Sequence, residues 1–134
     1  MLPEEIVNKM YQSDAFSKWL GIEVISVKEG YSKLTLTVRN EMTNGFGIAH
    51  GGITYSIADS ALAFASNSKG NHALSIETSI SHIKPVHPND VLTATAIEIA
   101  RNTKIGQYQV EITNQNLEIV AHFKGTVYIK KEIH

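Results

Sequence analysis

A single carboxylate interrupts an otherwise apolar stretch of this chain. Asp59 lies in a segment of small and apolar residues, about 52–67, whose composition indicates a buried helix. A carboxylate buried without a partner is unfavourable, and Asp is also a poor residue for a helix interior. Asp59 therefore either caps a neighbouring loop or reacts, and a broken local rule of this kind is where function is expected. Low polarity around Asp59 should raise its pKa.

A glycine-rich turn leads directly into this segment and carries Asn44, His50, Gly51 and Gly52. Glycines at a helix start leave N–H groups open to a ligand, and the helix dipole there favours an oxyanion or a polarised carbonyl. The alternative is that these glycines only permit close packing. Asn44 could orient a water or a substrate carbonyl, or it could simply close the turn. The flanks of a dinucleotide or P-loop fingerprint are missing, so we reject a phosphate cradle.

Composition excludes several other classes of protein. The chain has 134 residues, which suits one domain over 1–134, and its net charge of −1 gives no reason to expect nucleic acid as a partner. It has no cysteine, so a thiol nucleophile is impossible. His82 and His87 lack the spacing of a metal site, so no metal is expected. Since the chain has neither a signal peptide nor a long apolar run, we expect a cytoplasmic protein that does not cross a membrane.

Alternating apolar residues predict six strands, joined mostly by hairpin-length turns and therefore mainly antiparallel. Leu74, Ile76, Thr78 and Ile80 are expected to share one face of their strand; the same is expected of Val91, Thr93, Thr95, Ile97 and Ile99. The central helix is apolar on most sides and rich in alanine, so it must be wrapped closely. A curved sheet around one helix, an α+β architecture, is the simplest solution. The elements expected are helices 3–12 and 52–67, a helical turn ended by Gly21, and strands 22–27, 31–38, 73–83, 91–101, 105–114 and 117–129.

The spacing Asn44-Gly45-x-Gly47-x-x-His50-Gly51-Gly52-x₆-Asp59 resembles that of the hotdog-fold acyl-CoA thioesterases of the phenylacetate-degradation type. The order of predicted elements along the whole chain is similar to that family as well. The resemblance implies a hotdog fold in which subunits pair their sheets edge to edge. It also implies an active site at the subunit interface, with dimers that commonly pair into tetramers.

The resemblance also implies a role for each residue of the motif. The Gly51 amide polarises the thioester carbonyl, and Asp59 acts either as general base for water or as nucleophile. Asn44 positions water or the thioester, and His50 shapes the turn. Ser75, or else Thr78, helps to orient the water. Coenzyme A belongs to the substrate, so no resident cofactor is expected, and its binding is assigned to Lys84, Pro85, Arg101 and Lys104. For the basic residues among these, the alternative is ordinary solvated charge.

Three functions are compared on this basis. Hydrolysis of an acyl-CoA fits the motif, because a thiolate leaves readily and one carboxylate with an oxyanion site can suffice. A dehydratase or hydratase acting on acyl thioesters would need a histidine poised against the acid. A non-catalytic acyl-CoA-binding protein is the third possibility. The acyl group is expected to be aromatic or medium-chain, and the apolar residues that could contact it are Phe46, Tyr55, Ile57 and Leu62.

Overall fold

A six-stranded antiparallel sheet curves around one central helix in the computed structural model, which describes all 134 residues. The strand order is β1-β2-β4-β5-β6-β3, so β1 and β3 form the two edges of the sheet. This is the hotdog architecture expected from the sequence. The elements are α1 (Pro3–Gln12), α2 (Ala15–Leu20), β1 (Glu23–Lys28), β2 (Tyr31–Thr37), a 3₁₀ turn (Asn40–Met42), α3 (Gly51–Asn67), β3 (Asn71–His82), β4 (Val91–Arg101), β5 (Ile105–Thr113) and β6 (Ile119–Ile133).

Small residues bring the sheet close to α3. Ala58, Ala61 and Ala65 of the helix are fully buried, as predicted for a wrapped helix. The closest approach is at Gly125 of β6, where a Cβ atom would lie only 2.5 Å from Cδ2 of Leu62. Any side chain at residue 125 would therefore force the Leu62 side chain to shift, and glycine permits this close approach.

The faces of two strands differ from the simplest expectation. The β4 residues predicted to lie on one face point away from the helix. Ile97 on this face is 52% exposed, whereas Ala94 and Ala96 on the opposite face are fully buried. The inner face of β4 that packs toward α3 therefore consists of Leu92, Ala94 and Ala96, and the larger β-branched residues lie on the outer face. In β3 the expected single face is wrong, because the register with β6 shifts between Ser75 and Glu77.

That β-bulge reverses which side chains of β3 point inward. Leu74, before the bulge, pairs with Tyr128 on the outer face and is 61% exposed. Ile80, after the bulge, pairs with fully buried Phe123 and packs against the core. One extra residue in a strand of period two exchanges its faces, so the predicted alternation cannot continue across the bulge.

The two N-terminal helices cover the outer side of α3. The ring of Tyr11 on α1 packs against Phe64 with the centroids 6.3 Å apart. Asp14 caps the start of α2, and Gly21 ends it in the left-handed region at φ 74°, as the sequence predicted. None of the helices combines the length and apolarity needed to cross a membrane.

Candidate active site

Asn44 closes the loop before α3. Its Oδ1 accepts a hydrogen bond from the N–H of Phe46 at 2.9 Å, and its own N–H donates to the carbonyl of Ile48 at 2.8 Å. This is the turn-closing role that the sequence allowed for Asn44. The side-chain amide nitrogen of Asn44 has no partner within the chain, so it can still donate to a water or a carbonyl.

The N–H groups at the start of α3 differ in what they bind. His50 is the N-cap residue, and its Nδ1 accepts the N–H of Gly52 at 2.9 Å. The N–H of Gly51 has no acceptor within the chain. Because a helix N-terminus carries partial positive charge, this free N–H is a ready donor to a ligand oxygen. A Cβ atom at Gly51 would lie 3.2 Å from Nε2 of His82, so any side chain there crowds the site.

A cleft of about 330 Å³ opens in front of this helix start. It brings together four residues that the sequence predicted for the site: Asn44, Gly51, Lys84 and Pro85. Its other lining residues are Ile48, Ala49, Thr54, His82, Ile83 and Val86. Apolar walls with a few convergent polar donors are typical of a site for a small organic group.

Asp59 lies on the same helix but outside this cleft. It is eight residues after Gly51, which is about 12 Å along the helix axis. The carboxylate is half-buried and has no hydrogen-bond or ion-pair partner within the chain. Burial raises the pKa of Asp59, and the negative charge of Asp14 raises it further. Asp59 is therefore an uncompensated carboxylate and not half of a structural ion pair.

The two candidates on β3 have different surroundings. Ser75 is exposed and makes no side-chain hydrogen bond; it pairs with Val127, whose side chain faces α3. Thr78 is half-buried, and its hydroxyl lies 2.6 Å from the hydroxyl of Tyr55 on α3. Ser75 thus stands on the helix side of a free sheet edge, whereas Thr78 is already engaged.

The four residues predicted to bind coenzyme A divide into two groups. Pro85 lines the cleft, as does Lys84, whose ammonium forms an ion pair with the exposed Glu118. Arg101 instead lies near the other end of α3 and donates to the carbonyl of Ser66 at 3.1 Å. That carbonyl is about 22 Å along the helix from Gly51. Lys104 is exposed in the turn between β4 and β5. Within one chain, Arg101 and Lys104 do not reach the cleft.

Two further observations change the expected list of site residues. His82 was weighed in the sequence only as a metal ligand, and the structure contains no group of three or more side chains suited to hold a metal ion. Its contact with Gly51 joins the end of β3 to the start of α3, which no sequence spacing could reveal. Ile57 and Leu62, expected to contact the acyl group, are 0% and 1% exposed and belong to the core.

Comparisons with known proteins identify the family of this chain. Residues 46–121 match the thioesterase superfamily. The chain is 42% identical to the acyl-coenzyme A thioesterase PaaI of Escherichia coli over 87% of its own length and 83% of that protein's. The solved structure of E. coli PaaI superposes with a TM-score of 0.96, at 37% identity, covering 98% of this chain and 95% of that one.

A solved thioesterase from Streptococcus pneumoniae with bound coenzyme A superposes with a TM-score of 0.88. It is 25% identical and covers 94% of this chain and 98% of that one. The chain therefore belongs to the thioesterase superfamily. Within it, the chain is a PaaI-type hotdog acyl-CoA thioesterase, which confirms the resemblance found in the motif around Asp59.

Proposed function

We propose that this enzyme hydrolyses acyl-CoA at a site formed by the Gly51 N–H and the Asp59 carboxylate. The single observation that carries this mechanism is that both groups lack partners within the chain although they lie on one well-packed helix. A free N–H at a helix start stabilises the oxygen of a tetrahedral intermediate. A carboxylate with a raised pKa is the better proton acceptor.

Two routes are consistent with these groups. Asp59 can take a proton from water while the water oxygen attacks the thioester carbonyl. Alternatively, its carboxylate attacks the carbonyl, forms a mixed anhydride and expels the CoA thiolate, after which water hydrolyses the anhydride. In both, the Gly51 N–H binds the carbonyl oxygen, and the products are the free acid and CoA. The free amide of Asn44 and the hydroxyl of Ser75 are proposed to orient the water or the thioester.

The separation of the two groups supports a site shared between subunits. A distance of about 12 Å along α3 is too long for one carbonyl to contact both Gly51 and Asp59 of the same chain. β3 is a free edge of 12 residues, and such edges invite pairing with another strand. We propose that two chains pair along β3, so that Gly51 of one subunit works with Asp59 of the other. The outward apolar face that includes Ile97 supports a further pairing into a tetramer.

Lys84 and Pro85 are proposed to hold the coenzyme A part of the substrate at the mouth of the cleft. The similar S. pneumoniae thioesterase binds coenzyme A, which supports this assignment. Because the ion pair between Lys84 and Glu118 is exposed, exchanging it for a phosphate contact requires little free energy. Coenzyme A thioesters are intracellular metabolites, so the proposed location is the cytoplasm.

The dehydratase alternative is not favoured by the geometry. His50 uses Nδ1 as a helix cap and stands nine residues before Asp59, so it is not poised against that carboxylate. For the acyl group, an aromatic or medium-chain substrate remains the proposal.

A panel of CoA thioesters, assayed by release of free thiol, tests the function. Wild-type enzyme should hydrolyse aromatic or medium-chain members, and Gly51→Val should abolish turnover because its side chain meets His82. Gly45→Ala is the matched control, because a Cβ atom there has nothing within 4 Å. Hydrolysis of no thioester by folded wild-type protein would refute the function.

Mixed oligomers test the shared site. Gly51→Val and Asp59→Asn subunits are each inactive alone in this proposal. Unfolding and refolding them together should create some interfaces with one intact site and recover part of the wild-type rate. A mixture that forms hybrids but stays inactive would contradict the sharing of residues between subunits.

A further inference from the structure

A second carboxylate is held near Asp59 by the cap of α2. Oδ1 of Asp14 accepts the N–H of Ser17 at 2.9 Å, and Oδ2 accepts its hydroxyl at 2.6 Å. The hydroxyl oxygen of Ser17 also lies 2.8 Å from that of Ser60 on α3. Since the one hydroxyl hydrogen of Ser17 goes to Asp14, Ser60 must be the donor to Ser17. The result is a directed chain from Ser60 through Ser17 to Asp14.

This hydroxyl chain is buried and connects two helices. Ser17 is 1% exposed and Ser60 is 9% exposed, so water has little access to either hydroxyl. Hydrogen bonds that end on an ionised carboxylate are stronger than those between neutral groups. Ser60 directly follows Asp59 in α3. The chain therefore fixes the start of α2 at the helix position that carries the reacting carboxylate.

The charge of Asp14 is not needed for the cap itself. Asn or Ser caps a helix about as well as Asp, and neither carries a charge. Burial is the larger cause of the raised pKa of Asp59, and within one chain Asp14 supplies the one charge that raises it further, with no cation of that chain opposing it. A nearby like charge disfavours the ionised form of a carboxyl group, and a carboxyl group perturbed by burial and by such a charge is a candidate for function.

We propose that Asp14 is a positioning residue for Asp59. Through Ser17 and Ser60 it fixes α2 on α3, and it holds a second negative charge two hydrogen bonds from the residue that follows Asp59. Asp14 does not contact the substrate. It keeps Asp59 more basic, and so more effective in taking a proton from water. This inference rests on the role proposed above for Asp59 in thioester hydrolysis.

Asp14→Asn removes the charge and keeps the cap, because the amide oxygen still accepts the N–H of Ser17. The amide NH2 takes the place of Oδ2 and donates to the hydroxyl of Ser17, which then donates to Ser60, so the helices stay linked with the direction of the hydroxyl chain reversed. The acid limb of kcat/KM against pH should move to lower pH, since that limb reports the titration of the base in the free enzyme. The Asp59 carboxyl, followed by ¹³C NMR, should titrate at lower pH in the same variant. Glu29→Gln, at an exposed turn residue, makes the same change of net charge and should leave both measurements unchanged.

Ser17→Ala provides a second test that does not remove a charge. It breaks the hydroxyl chain, so Asp14 is held less firmly, and both measurements should move in the same direction by a smaller amount. If Asp14→Asn does not fold, Ser17→Ala still tests whether Asp14 shifts the titration of Asp59. An Asp59 titration unchanged from wild type in the folded variants would overturn the inference. The NMR titration needs no turnover, so it can refute the role of Asp14 even if the wild-type enzyme hydrolyses no thioester. The failure of this inference is therefore distinguishable from the failure of the proposed function.

Discussion

Two partly buried carboxylates in this enzyme have opposite surroundings. Glu98 on β4 accepts the hydroxyl of Tyr108 at 2.7 Å and the ammonium of Lys69 at 2.7 Å, and Arg101 lies 3.8 Å away. Burial alone would raise the pKa of Glu98, but the hydrogen bonds from Lys69 and Tyr108 and the charges of Lys69 and Arg101 lower it. Asp59 has none of these partners, and its pKa is raised.

The contrast separates an acid that is compensated within the fold from one that is not. Burial also raises the pKa of Tyr108, as does its hydrogen bond to Glu98, so this phenol stays protonated and continues to donate. The Glu98 cluster satisfies its charge inside the fold. Asp59 leaves its charge for a substrate or water, which is expected of a catalytic group. The same substitution, acid to amide, should therefore have opposite effects at the two positions.

The largest expected effect is on catalysis at Asp59. Asp59→Asn keeps the shape of the side chain and removes the base, so turnover should fall by roughly 10² to 10⁴ with a smaller change in substrate binding. Steady-state kinetics on the best CoA thioester measures both. Glu98→Gln is the paired control and should retain turnover. Near-normal activity in folded Asp59→Asn enzyme would remove Asp59 from the mechanism.

The next effect is on stability at Glu98. Glu98→Gln leaves Lys69 and Arg101 without their anion, so the free energy of unfolding should fall by about 1–3 kcal/mol at neutral pH. A lowered folded-state pKa adds stability above the ordinary carboxyl pKa, and this is lost as the pH falls through the folded value. The deficit of the variant, measured by urea denaturation, should therefore shrink in acid. A deficit that is independent of pH would mean that the charge of Glu98 is not what stabilises the fold.

Asp59→Asn should stabilise the fold, in contrast to Glu98→Gln. A gain of roughly 0.5–2 kcal/mol is typical of single stabilising substitutions. Because the folded-state pKa of Asp59 is raised, its carboxylate destabilises the native state at pH values above that pKa. At pH values below the unfolded-state pKa, the group is protonated in both states and has no such effect. The gain should thus grow as the pH rises from the acid range to neutral. Lower stability of the variant at neutral pH would show that Asp59 is structural.

The smallest effect is expected at the exposed side of the Glu98 cluster. The side chain of Lys69 is 32% exposed, so its ion pair with Glu98 is partly screened by water. Lys69→Gln should therefore lower the free energy of unfolding by less than about 1 kcal/mol. Thermal denaturation in low and high salt checks this, since salt should narrow the difference. A loss as large as that of Glu98→Gln would mean that Lys69 and not Arg101 compensates the acid.

The sequence was a good guide wherever the determinants are local. The helix 3–12 and the strand 91–101 have the predicted bounds, and the turn before Asp59 carries the predicted donors. The bulge in β3 could not be predicted, because it depends on the pairing of β3 with β6. Asp14 and Asp59 are distant in sequence, and they are linked only when α2 packs on α3 through the contact between Ser17 and Ser60.

The basic residues also show that tertiary contacts could not be predicted from the sequence. Lys84 and Arg101 were both predicted as loop cations that could bind phosphate, but Lys84 is beside the cleft, whereas Arg101 is turned inward by Tyr108 and Ser66. The sequence shows that a residue is cationic, but the tertiary contacts decide which anion or carbonyl it meets.

The contact between Gly125 and Leu62 has a consequence for how this enzyme can change over evolutionary time. Leu62 is three residues after Asp59, and its side chain fills the space left by the missing Cβ atom of Gly125. This steric fit acts beside the hydrogen bond of Ser60 in aligning a carboxylate that has no hydrogen bond of its own. Residue 125 does not line the cleft at the start of α3, yet it should tolerate substitution less well than most positions that do.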